Sequence, residues 1–482
     1  MKIDVGNLAE LCMSNSQQLA NCFEKKIISP VEFMRFTLER ADIVNNDLNA
    51  FSKLNYDYAL NKAEESERRW LKNEPISPFD GVPVTVKDVV FCNGFDIRFG
   101  SQTTSNSLLL EDSPSVSRLR RSGSIIFGIT NTPEFGWKAV TDSPKNGVTR
   151  NPWDIEKTPG GSSGGAAVAA ATGVGAMHLG TDGGGSVRIP ASFCGIVGFK
   201  PSYGRIPMYP PSPYRSIAHI GPMGRNVGDV ASMFNLMSGN SLLDWSQPMR
   251  NSKPVKLAKI DFTNKKIGFW NSPLIGDLSL GVSKVVSSAL KKFEQMGAIT
   301  CEIKIPDKDK LLEIFYRHWY LGAAHKVSSI RESDHHLLDR GFLAAAEEGL
   351  KYSAVDFITA ELERIEFGRK MDKLLCEYDF IISPSVQVEP FELDTNVPNN
   401  SKFNSWIEWA SFSFPLNLSQ QPACSIPCGL SEQGLPVGIQ IIGAKDKDSE
   451  VLSAAYSYEK LHSRDFLGNS FHVPRYNAEN LK

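Results

Sequence analysis

The hydrophobic positions of this chain follow two different rhythms. Across residues 1–75 they recur at helical spacing. Phe33, Phe36 and Leu38 follow Ser29-Pro30-Val31-Glu32, which combines an N-cap serine, a proline at the first helical position and a glutamate placed for a capping box. Ala59, Leu60 and Ala63 recur among charged residues over 56–72 and predict a second helix. Farther on, short β-branched runs alternate with helical patterns. VPVTVKDVV (82–90) reads as a buried strand, Ser113-Pro114 opens a helix, and SIIFG (124–128) reads as the next strand. An Ala-rich helix (164–172) precedes a strand at 176–180 and a helix beginning near Ser186. KKIGFW (265–270), a helix over 281–296, CEIKI (301–305), YDFIISPS (378–385) and VGIQIIG (437–443) continue the series. Such alternation predicts an α/β protein with a large, mostly parallel or mixed sheet. The segment 244–264 is polar, basic and without periodicity, but strand patterns continue on both sides of it. Residues 1–482 therefore read as a single domain, with a helical N-terminal segment (1–75) and the chemistry concentrated in 80–230.

Composition excludes more than it adds. Hydrophobic residues make up 41% and charged residues 22%, which is ordinary for a globular protein. A net charge of −2 gives no basic footprint for nucleic acid or an anionic membrane. No stretch approaches the ~20 apolar residues of a membrane span. MKIDVGNLAELC lacks the basic segment and apolar run of a signal peptide. Of the eight cysteines only Cys424 and Cys428 lie close, and no histidine stands near them at a zinc-site spacing. The expectation is a cytoplasmic protein with isolated thiols and no metal.

Within VPVTVKDVV, Lys87 interrupts an apolar run. Strand side chains alternate, so Thr85 and Lys87 share one face and Val84, Val86 and Asp88 the other. A lysine on a strand covered from both sides is costly unless it is paired or deprotonated. It could reach solvent at the strand end, or pair with Asp88. Buried instead, it would lose its proton more readily and serve as a general base.

Two glycine-flanked serine clusters, GGSSGG (160–165) and TDGGGSVRIP (181–190), read either as flexible loops or as reactive surfaces. In the second, a strand (AMHLG) runs into Thr181-Asp182, followed by three glycines and then Ser186 at the start of a helix. Glycines that turn the backbone sharply can aim successive N–H groups inward, the geometry an oxyanion hole needs. Gly183, Gly184, Gly185 and Ser186 are the candidate donors, with Ser186 placed to attack a carbonyl. A phosphate could bind such a turn. However, no Walker Gly-Lys-Ser/Thr follows, and GVGAMHLG (173–180) does not have dinucleotide-site spacing. None of the eight histidines has a distinctive setting. Lys87 remains as the base, with a serine of GGSSGG as a relay between it and the nucleophile.

TPGGSSGGAAVAAATGVGAMHLGTDGGGSVRIPASFCGIVGFKPSYGRIP (158–207) resembles the defining segment of the amidase signature family. GVPVTVKD upstream, NTPEFGW (131–137), GPMGRNVGD (221–229) and GLPVGIQIIG (434–443) extend the likeness over nearly the whole chain, which is most similar to the stand-alone soluble bacterial-type amidases. The resemblance implies a large twisted mixed sheet sandwiched between helices. It implies Ser186 as nucleophile, Ser162 as the bridging serine on a cis peptide and Lys87 as base. Asp182 and Arg188 resemble the pair that braces the nucleophile loop, and Ser163 a position that supports the relay. The chemistry so implied is amide hydrolysis through an acyl-enzyme, with a small-molecule amide as partner and without a metal or organic cofactor.

The substrate is less legible. The family includes the glutaminase component of a tRNA-dependent amidotransferase. Its glutamine-holding pattern is not clean in LKYSAVDFITAELERIEFGRK or NSWIEWASFSFPLNLSQQPA. Trp406, Trp409, Phe412 and Phe414 in the second stretch either fill core or form a pocket for an apolar acyl or aryl group. Trp137, Trp319 and Trp409 are the pocket candidates, with Tyr316 beside them, and MYPPSP (208–213) reads as a loop near the site mouth. A stand-alone amidase is expected, with the amidotransferase glutaminase and a non-catalytic binding protein as alternatives. A homodimer is left open.

Overall fold

The computed structural model describes residues 11–105, 107–248 and 253–467. The first ten residues of the expected helical segment, and His472, lie outside them.

The helical N-terminal segment forms as its caps dictate. Helix Ser16–Glu24 begins at a capping box of Asn15 and Gln18, and helix Pro30–Leu48 at one of Ser29 and Glu32, with Asn49 left-handed at its end. Helix Tyr56–Leu71 follows. Between the last two lies a strand that the helical reading missed, β1 (Phe51–Leu54).

Eleven strands form one sheet. They are β1, β2 (Pro83–Lys87), β3 (Ile125–Thr130), β6 (Met177–Asp182), β7 (Val197–Lys200), β8 (His219–Gly224), β9 (Lys266–Phe269), β10 (Ile299–Glu302), β11 (Phe380–Pro384), β12 (Ala423–Leu430) and β13 (Pro436–Ile442). A separate hairpin pairs β4 (Asp142–Ser143) with β5 (Gly147–Val148). The sheet order is β1-β3-β2-β6-β8-β7-β12-β13-β11-β9-β10. β3, β2 and β6 are mutually parallel, as are β11, β9 and β10, and the strands between them are antiparallel. The sheet is therefore mixed, as the alternation allowed.

Strands from both sides of 244–264 meet where β12 pairs with β7. The described residues of 244–264 form no helix or strand but are tied down, with Ile260 N–H on Ser457 Oγ (2.7 Å) and Val255 O accepting from Asn235 Nδ2 (2.8 Å). Several strands differ from the sequence reading; β6, read at 176–180, forms over Met177–Asp182. β2 stops at Lys87, whose carbonyl accepts from the N–H groups of Val89 and Val90 in a turn. β10 lies two residues before CEIKI because it pairs in register with β9, Ile299 opposite Lys266.

The sheet divides the core. Val84 and Val86 pack on one side with Phe234, Phe293 and Leu452, from helices Val227–Met237, Leu280–Gln295 and Asp448–Leu467. The other side is covered by helices Gly164–Ala171 and Arg188–Cys194 and by an aromatic-rich helical layer that includes Leu311–Ser328 and Ala354–Glu377. No helix of the described residues is long and apolar enough to cross a membrane.

Candidate active site

Parallel pairing of β2 with β6 brings their C-terminal ends to one edge of the sheet. Lys87 ends β2, and Thr181-Asp182 end β6 and lead into Gly183–Ser186. The second cluster arrives from the Gly164–Ala171 helix, every residue of which is buried. Its glycines answer to close packing, since a Cβ on Gly165 would lie 2.3 Å from the carbonyl oxygen of Ala50. The Gly161–Ser162 peptide is cis.

Lys87 is fully buried. Its Nζ lies 2.7 Å from Ser162 Oγ, 3.0 Å from Ser163 Oγ and 3.0 Å from Thr181 Oγ1. It does not pair with Asp88, whose carboxylate turns away to accept from the backbone N–H groups of Arg98 (2.7 Å) and Gly100 (3.0 Å). Burial pushes the Lys87 amine down to about 7, with the charge of Asp182 acting weakly the other way. A neutral amine has two N–H donors and one lone pair. The three oxygens match it: Ser163 and Thr181 as acceptors, and Ser162 as the hydroxyl facing the lone pair. Ser163 Oγ also lies 3.2 Å from the Thr181 carbonyl oxygen, and Ser163 N–H donates to Ser186 O at 3.1 Å, which ties the two loops together.

Ser186, Ser162, Thr181 and Gly183 line a common cavity of about 880 Å³. Of the four backbone N–H groups expected to face an oxyanion, Gly185 is a correction. Its N–H donates to Asp182 Oδ1 at 2.8 Å. Its positive φ of 125° and the 2.5 Å from an added Cβ to Ser413 exclude a side chain there. No acceptor for the N–H groups of Gly183, Gly184 or Ser186 occurs among the described residues. The helix expected near Ser186 starts at Arg188. Glycine turns rather than a helix end therefore shape this backbone.

Asp182 and Arg188 are both fully buried, with Arg188 Nε and Nη2 each 3.0 Å from a carboxylate oxygen. Burial opposes the carboxylate charge, but the Arg188 guanidinium holds Asp182 well below the usual carboxylate range. Arg188 further donates to Gln440 Oε1 (3.0 Å) and Asn417 Oδ1 (2.7 Å), while Asn417 Nδ2 donates to Asp182 (2.9 Å). Arg188→Met strands Asp182 as a buried charge and should cost about 3–5 kcal/mol of stability. The check is the chemical denaturation midpoint; a variant within about 1 kcal/mol of wild type would mean that the pair does not hold this loop.

The aromatic candidates separate. Trp319 lines the cavity, stacked on Tyr214 at 3.9 Å between ring centroids. Trp137 and Trp409 do not line it. Trp137 packs on Phe342, and Trp409 is fully buried against Phe193 and Phe391, its indole N–H on Asn396 O. Trp406, Phe412 and Phe414 are core as well, and Tyr316 stacks on Tyr320. The loop 208–213 does line the mouth. Sequence reasoning gave Thr181 no role beyond the strand end and set His318 and His325 aside with the other histidines, yet all three line the cavity. It also missed Asn417 and Gln440, although a glutamine within VGIQIIG gave the same signal as Lys87 within VPVTVKDVV.

Comparison with known proteins agrees over nearly the whole chain. The model of the Amidase family matches residues 32–452. The chain is 30% identical over 457 residues to an acylamidase of Rhodococcus erythropolis, covering 92% of this chain and 94% of that protein. It is also 30% identical over 481 residues to the A-type component of the glutamyl-tRNA(Gln) amidotransferase of Symbiobacterium thermophilum, covering 93% of this chain and 97% of that protein. The crystal structure of a bacterial aryl acylamidase of the amidase signature family superposes with a TM-score of 0.85 at 26% identity, covering 93% of this chain and 96% of that one. The chain belongs to the amidase signature family and is a hydrolase of amide C–N bonds.

Proposed function

We propose that this chain is a stand-alone amidase that converts a carboxylic amide to acid and amine or ammonia through an acyl-enzyme on Ser186. Neutral Lys87 takes the proton of Ser162 as Ser162 takes that of Ser186. Ser186 Oγ bonds to the amide carbon, and the carbonyl oxygen becomes an anion facing the N–H groups of Gly183, Gly184 and Ser186. The relay then returns a proton to the nitrogen as the C–N bond breaks, and water, deprotonated by the same relay, releases the acid. The supporting residues are Ser163 and Thr181, which orient Lys87, and Asp182 with Arg188, which brace the loop. The whole chain acts as one amidase domain in this reading. The observation that carries it is the setting of Lys87: a fully buried amine with three hydroxyl partners and no ion pair among the described residues.

The similarity to the glutamyl-tRNA(Gln) amidotransferase component favours a second reading, that of a glutaminase. Glutamine is a zwitterion, and its ammonium calls for a carboxylate. No Asp or Glu lines the cavity among the described residues. Arg364, within the helical stretch weighed for glutamine, is committed to Leu418 O (2.8 Å) and Ser216 Oγ (2.7 Å). Ammonia or amine release from glutamine and from aliphatic and aryl amides separates the two. The stand-alone reading expects kcat/KM for glutamine about 10²-fold or more below that of the best aryl amide. A preference for glutamine would overturn it.

A further inference from the structure

Away from its hydroxyl cluster the cavity is mainly apolar, with a basic rim that no lining carboxylate balances among the described residues. Lys326, on helix Leu311–Ser328, places Nζ 4.7 Å from the centroid of the Phe135 ring. The next residue, Gly136, lies against the relay, since a Cβ there would come within 3.3 Å of Ser162 Oγ. Lys326 is half-buried, and its Nζ makes no ion pair or hydrogen bond among the described residues. Burial pushes its ammonium below the ordinary lysine pKa, with no carboxylate to offset the shift. Arg215 reaches the same cavity, its guanidinium 5.1 Å over the Phe357 ring and likewise without an ion pair, and His325 lines the wall as well. Glu361 lies behind His318 and is engaged by His318 Nε2 (2.8 Å) and Arg364 Nη1 (3.2 Å).

A cation withdrawn from water without a counter-ion is costly, and a ligand that supplies the anion recovers the cost. The geometry points to an anion subsite: the cavity takes an amide whose apolar body ends in a carboxylate, and Lys326 selects that end. This rests on the amidase reading, which supplies the scissile bond at Ser186. Arg215 stands at the mouth, where its charge attracts the carboxylate before the body enters. Cation–ring contacts with Phe135 and Phe357 hold the two charges in place while the ligand is absent.

Matched amides test it. Glutaric acid monoanilide and pentananilide differ by a carboxylate on the acyl side, and 4-acetamidobenzoate and 4-methylacetanilide on the amine side. In wild type, at least one carboxylate member should exceed its neutral match by about tenfold or more in kcat/KM, mainly through KM and less at high salt. Lys326→Met should erase that ratio and Lys326→Arg should retain it. Equal rates for both pairs in wild type, or a ratio that survives Lys326→Met, would overturn the subsite. The amidase reading stands or falls separately, on turnover of the neutral anilides. Should none of the amides turn over, calorimetry still decides. At least one carboxylate member should bind wild type more tightly than its neutral match and lose that advantage in Lys326→Met; equal binding within both pairs in wild type refutes the proposal.

Discussion

Ser186→Ala should lower kcat for amide hydrolysis by roughly 10⁴- to 10⁶-fold while leaving the fold intact. Two features set the size of the effect. Alanine removes the only atom at this position able to form the acyl bond, and in a relay each member's contribution vanishes with the nucleophile, so the loss approaches that of the entire constellation. Stability should change little. The backbone of Ser186 keeps its bond from Ser163 N–H, and the loop stays held by Asp182, Arg188 and Asn417. The check is steady-state kinetics on an anilide beside a thermal unfolding curve. Retained activity in a folded variant would remove Ser186 from the mechanism.

Lys87→Met should cost about 10³- to 10⁴-fold, in line with the loss of a general base. Lys87→Arg should not rescue, because guanidinium holds its proton at any accessible pH and has no lone pair. The same group sets the pH profile. Its amine is pushed down to about 7, and only the neutral form accepts a proton. kcat/KM should therefore rise as pH climbs through about 7, level off above it and fall on the acid side. A profile that keeps rising toward the ordinary lysine value of 10.5 would mean that Lys87 is charged at neutral pH and is not the base.

The residues that announced themselves in the sequence were those that break a local rule. A lysine within VPVTVKDVV and serines flanked by glycines stand out because burial and backbone freedom carry a cost that needs a reason. Thr181 breaks no such rule: a threonine at a strand end is unremarkable, and only the fold brings its hydroxyl to Lys87. The strand HIGPMG (219–224) was missed because glycine and proline weaken the local pattern. It forms as β8 because β6 and β7 flank it. The aromatic residues failed differently. Trp319 and Trp409 look alike in sequence, yet one faces the cavity and the other is sealed between Phe193 and Phe391. Composition cannot choose between them, because the direction of a side chain is decided by packing. The spent N–H of Gly185 was hidden for the same reason: it depends on where the Asp182 carboxylate points.

The most direct measurement is the intact mass of the protein after treatment with a fluorophosphonate at pH 8, for wild type and for folded Ser186→Ala. The account predicts one adduct on the wild type, mapped to Ser186, and none on the variant. An unmodified wild type, or an adduct that persists in Ser186→Ala, would contradict the claim that Lys87 and Ser162 activate Ser186.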